Sequence, residues 1–140
     1  MEGPFELQYY YKGLYAYFTL GPTISDRDIK DFTNILQALV DRKKPFVFLV
    51  DTTQVTDFNP ITCGYEIVRW MKSNKSLLRK YLLASSVIMK SKIVTDILNW
   101  VFDRQKPVSP NLITLSQEDA ENFIEERIPH ELKTSGKKSG

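Results

Sequence analysis

Two short stretches hold the side chains with chemical potential. The first, Phe46 to Tyr65 (FVFLVDTTQVTDFNPITCGY), gathers Asp51, Thr52, Thr53, Thr56, Asp57, Asn59, Thr62 and Cys63 at the end of an apolar run. Carboxylates and hydroxyls in such a place could serve a phosphate, a metal ion or a nucleophile. The second is Lys90-Ser91-Lys92, where two ammonium groups flank a hydroxyl. That set suits an anion at a helix start, although a solvated basic face is the simpler reading of the same residues.

Each chemistry needs more than this. Asp51 with Asp57 is too small a ligand set for a metal, and Gly13, Gly21 and Gly64 stand too far apart to form a phosphate-cradling loop. Cys63 falls in the first turn of an expected helix, where a thiol pKa can be lowered. The one histidine, His130, lies far away near the C-terminus, so no Cys-His pair is indicated and Cys63 reads as a packing residue. No catalytic constellation and no cofactor site emerge, and the chain reads as a non-enzyme.

Composition sets wider bounds. The 140 residues suit one domain, and a hydrophobic fraction of 42% is enough for a packed core. One cysteine excludes an internal disulfide. No stretch reaches the roughly 20 apolar residues of a transmembrane segment, so a cytoplasmic protein is expected. The 19 basic and 17 acidic residues balance at 16 each over residues 1–128, once Lys133, Lys137, Lys138 and Glu131 are set aside. Such a balance gives no support to specific nucleic-acid binding. The distribution is uneven, however: between Glu66 and Asp96 there is no acidic residue, while Arg69, Lys72, Lys75, Arg79, Lys80, Lys90 and Lys92 fall in the gap.

The elements that position these residues follow from periodicity. Phe5–Tyr11 and Leu14–Leu20 form an expected hairpin around Lys12-Gly13. Ser25 caps a helix carrying Ile29, Phe32, Leu36, Leu39 and Val40 on one face. Phe46–Val50 is apolar throughout, as in a strand covered on both sides. Asn59-Pro60 starts a second helix that runs to about Lys80, Leu82–Met89 is a strand, and Ser91 caps a third helix. Leu112–Leu115 is a short strand and Ser116 opens a fourth helix. The fold class is α/β: an N-terminal β-hairpin leading into a mostly parallel sheet of about five strands with four helices. Residues 1–128 form one domain, and 129–140 read as a disordered basic tail.

This order, with LVDTTQV on a central strand and a capped helix soon after, resembles the STAS domains, and within them the SpoIIAA-like branch of anti-sigma-factor antagonists. The resemblance spans about Tyr15 to Ile128. It implies a regulatory or protein-interaction module without catalysis. Members with a phosphorylation switch carry Asp-Ser where this chain has Asn59-Pro60, and proline has no hydroxyl. The resemblance therefore implies that the usual phosphoserine is missing, with Thr62 as the place for a displaced phosphosite. Without one, Asp51 ends a strand, the threonines turn the chain, and Asn59-Pro60 begins a helix.

The third helix carries one more signal. Ile93, Val94, Ile97, Leu98 and Val101 form its central stripe, and Trp100 and Phe102 widen the apolar arc to about 200°. The neighbouring helix with Trp70 and Met71 would cover the surplus in a simple core packing. Otherwise Trp70, Trp100 and Phe102 mark an interaction surface for a protein partner or homodimer. The alternative function is a carrier for a lipid-like or anionic small molecule, with an apolar cavity beside Lys90 and Lys92.

Overall fold

The computed structural model describes residues 4–134. A five-stranded sheet is built from β1 (Phe5–Tyr10), β2 (Tyr15–Leu20), β4 (Phe46–Asp51), β6 (Leu82–Ile88) and β7 (Asn111–Thr114), in the order β1-β2-β4-β6-β7. Only the β1–β2 hairpin is antiparallel; every other pairing is parallel. β3 (Thr23–Ile24) and β5 (Asp57–Phe58) pair in a separate two-stranded ribbon. The helices are α1 (Asp26–Asp41), α2 (Pro60–Ser73), α3 (Lys75–Tyr81), α4 (Lys92–Arg104), α5 (Gln117–Glu126) and α6 (His130–Thr134).

The parallel strands advance across the sheet in one direction, which sends crossovers of one hand to one face. Ala16, Phe18, Phe46 and Val50 accordingly pack with Leu36, Leu39 and Val40 of α1 and Leu78 of α3. The alternate residues of the same strands, Tyr15, Val47 and Leu49, face the opposite way and meet Ala120 and Ile124 of α5. Burial on both sides explains the unbroken apolar run of β4.

Helix starts are set by side-chain caps. The Ser25 Oγ accepts from the Asp28 N–H at 3.1 Å, and Asp28 accepts in return from the Ser25 N–H at 2.8 Å. The Asn59 Oδ1 accepts from the N–H groups of Ile61 and Thr62 at 3.1 and 3.2 Å, with Pro60 as the first helical residue. Ser91 and Ser116 cap α4 and α5 in the same way.

Six helices occur among the described residues, rather than the four expected. The helix from Asn59-Pro60 stops at buried Asn74, whose Nδ2 donates to the Trp70 carbonyl at 3.0 Å and diverts the chain into α3. Periodicity misses this break because Leu77 and Leu78 continue the apolar pattern. The segment 129–140, expected as a disordered basic tail, begins with α6; Leu132 packs under α5 and Lys133 lies 3.4 Å from Glu125. Residues 135–140 lie outside the described residues.

Tyrosines tie the hairpin to α5. The Tyr11 hydroxyl donates to the Glu125 carboxylate at 2.8 Å, and that of Tyr17 donates to Glu121 at 3.1 Å. Burial and then Glu125 push the Tyr11 phenol up to about 12, and burial and Glu121 raise Tyr17 as well.

Two measurements check this account. Asn59→Ala should cost about 1 kcal/mol in denaturant melts through loss of the cap. An unchanged midpoint would mean that Asn59 does not hold the helix start. Because the folded phenols titrate above the unfolded value of about 10, their contribution is complete below that pH and declines as pH climbs toward about 12 for Tyr11. Stability should fall across that interval, and Tyr11→Phe should flatten the fall; parallel curves for the two proteins would remove Tyr11 from the explanation.

Candidate functional site

α4 rests on α2. Gly64 makes this possible, since a Cβ at that position would meet the Trp100 ring at 3.1 Å. Tyr65 stands edge-on to Trp100 at 5.2 Å between centroids, and the Arg104 guanidinium lies 3.7 Å from the ring centre. Only Val94 and Val101 of the helix are fully buried. Ile93, expected in its central stripe, is 48% exposed; it stands in the first turn of α4, toward the edge of the apolar arc on the Trp100 side.

An apolar cavity of about 170 Å³ lies between the sheet and the helices of one face. Phe48, Val50 and Val87 line it from the strands, and Phe32 and Leu36 from α1. Ile67 and Trp70 of α2 and Ile97, Leu98 and Phe102 of α4 complete much of the wall. Cys63 also lines it, and burial pushes its thiol up to about 11. The thiol is thus neutral near pH 7, a packing group rather than an activated nucleophile.

Few polar side chains reach the lining, and nearly all are already engaged. Thr33 donates to the Lys30 carbonyl within α1, and Thr52 donates across to the carbonyl of Ile88 at the end of β6. Asp28 belongs to the α1 cap. At the β6–β7 end, the Ser85 Oγ accepts from the Asn111 Nδ2 at 2.8 Å. Ser109, beside them, has a buried hydroxyl without a hydrogen-bond partner.

The residues singled out from sequence are distributed differently. Lys90, Ser91 and Lys92 do not line the cavity. Lys92 pairs with Asp96 at 2.9 Å on the exposed side of α4, Lys90 is exposed, and Ser91 serves as the cap. Trp70, Trp100 and Phe102 are all half-buried. Trp70 donates from its indole to Gln37 at 3.0 Å, while Trp100 covers Gly64. The strongly exposed apolar residues of these helices are instead Ile61, Tyr65 and Ile93. Thr62 is half-buried with its N–H on the Asn59 cap, and Asp51 accepts from both the N–H and the hydroxyl of Thr53. Sequence reasoning did not find the Ser85, Ser109 and Asn111 end of the cavity. The available hint was a pair of serines, Ser85-Ser86, inside an otherwise apolar strand.

No family model and no curated protein matches the chain. Among solved structures it is similar to an uncharacterised protein of the DUF3478 family, with a SpoIIAA-like fold, from Shewanella loihica PV-4. The TM-score is 0.58 at 14% identity, over 86% of this chain and 91% of that one. Identity this low speaks to fold alone. With its hairpin, its parallel strand order and its capped helix after LVDTTQV, the chain has the SpoIIAA-like, STAS-type α/β fold.

Proposed function

We propose that the chain is a non-catalytic STAS-like binding module for a small apolar molecule held between the sheet and α1, α2 and α4. The apolar cavity of about 170 Å³ carries this reading. Leaving such an apolar space unfilled forgoes contacts that side chains would otherwise supply. Its size selects the ligand: a cavity of about 150 Å³ accommodates benzene. A single ring with a short substituent matches it. This reading takes up the carrier that the sequence offered as the alternative to a regulatory or interaction module, with a ligand smaller than a lipid. An anionic ligand has less support here, since among the described residues no lysine, arginine or histidine lines the space.

A protein-interaction module is the second reading, favoured by Ile61, Tyr65 and Ile93, exposed at 71%, 58% and 48%. Sedimentation velocity on the purified chain and on Tyr65→Ser separates it from the first. A monomer of unchanged mass at every concentration would leave self-association without support.

For the cavity itself, toluene is the probe. Toluene at ten times its dissociation constant should stabilise the fold by about 1.4 kcal/mol, and Ile97→Phe should abolish that gain while the protein still melts cooperatively. Alkylation of Cys63 by iodoacetamide should be slow at pH 8 and slower still with toluene present. Equal toluene stabilisation of the wild type and Ile97→Phe, or alkylation indifferent to toluene, would place any binding outside this cavity.

A further inference from the structure

We infer that the cavity is a slot for an unbranched aliphatic chain lying across the strands, from the β1–β2 margin of the sheet to the loop before β7. This rests on the cavity being a binding site, and it adds the shape and chemical class of the occupant.

The lining gives the shape. Every strand of the large sheet borders the same space: Phe5 of β1, Leu20 of β2, Val50 of β4, Val87 of β6 and Asn111 of β7. Neighbouring strands lie roughly 4.8 Å apart, so the order β1-β2-β4-β6-β7 sets the two ends on the order of 19 Å from each other. A compact void of about 170 Å³ would be roughly 7 Å across and would border two or three strands. The same volume drawn out across the whole sheet is long and thin. A ring fills one stretch of it, whereas an extended hydrocarbon chain fills it from end to end.

The chemistry of the wall agrees with that shape. Thr33 and Thr52 have their hydroxyls donated to the carbonyls of Lys30 and Ile88, and the Ser85 Oγ receives the Asn111 amide. Between them Phe48, Ile97 and Phe102 offer contact to methylene groups and ask for no polar partner. Such a site reads length in place of polar groups. Each added methylene buries more area until an end is reached, and a branch makes the chain too wide for the slot.

The test is a series of volatile hydrocarbons, n-pentane to n-decane together with cyclohexane, whose uptake by the intact chain is read by headspace gas chromatography. Affinity should climb roughly fourfold with each methylene until the slot is full. Leu20→Phe narrows one end and Val108→Phe the other. Each should weaken n-octane about tenfold and leave cyclohexane within about twofold. Near-ultraviolet circular dichroism verifies packing. If either variant unfolds, Val108→Ala takes its place, and opening that end should move the tightest alkane to a longer one. Affinities that level off at n-pentane, n-octane responding at one end alone or at neither, or an unmoved optimum in Val108→Ala would show a compact occupant. Any of these would overturn the slot while leaving the cavity a binding site. Failure of every hydrocarbon to bind the wild type would overturn the binding site and this inference with it.

Discussion

The seat of Trp100 on Gly64 is the contact on which the arrangement of this face depends. β2, β4, β6 and β7 are immediate neighbours, so each connecting segment has about one strand pitch, roughly 4.8 Å, in which to lie. A packed helix needs about 9 Å. The helices of this face therefore cannot all lie flat on the strands, and α4 leans on α2 instead. Glycine at position 64 lets the indole approach the α2 backbone, and the stripe of α4 that a flat helix would press onto the strands borders open space. The cavity is a consequence of that crowding.

The opposite face is built on another principle. A single helix, α5, covers the middle of the sheet with Ala120, Ile124 and nearby Ile128, and its carboxylates reach out to the tyrosines of the hairpin. Side chains interlock tightly there, and Tyr15, Val47 and Leu49 are almost wholly removed from water. One face acts as a close-packed foundation and the other holds internal volume. This division lets a domain of ordinary size carry a cavity without losing its core.

Much of the framework was legible in the chain. β4 announced itself as an unbroken apolar run, and the caps at Ser25, Asn59, Ser91 and Ser116 fell where side-chain oxygens can meet free N–H groups. The break at Asn74 was hidden, because the side chain that diverts the helix acts through a hydrogen bond no pattern of apolar spacing records. The two-residue strands β3 and β5 were too short to show any period. For the site, the over-wide apolar arc of α4 was visible, but which part of it met the sheet was not. That depends on how helices share the width of the sheet, a property of the assembled layers rather than of any segment. Ser109 lies between prolines in the loop before β7, two residues ahead of Asn111, and only the folded chain brings Asn111 to Ser85.

The shortness of β7 has a further consequence. It is the outermost strand on its side, four residues long, and Pro110 stands immediately before it. A sheet can be extended by another chain only where a row of free backbone donors and acceptors is presented, and proline contributes no donor to such a row. The border of the sheet at β7 thus offers little template for a foreign strand, which guards the domain against joining its neighbours into fibrous aggregates at that edge.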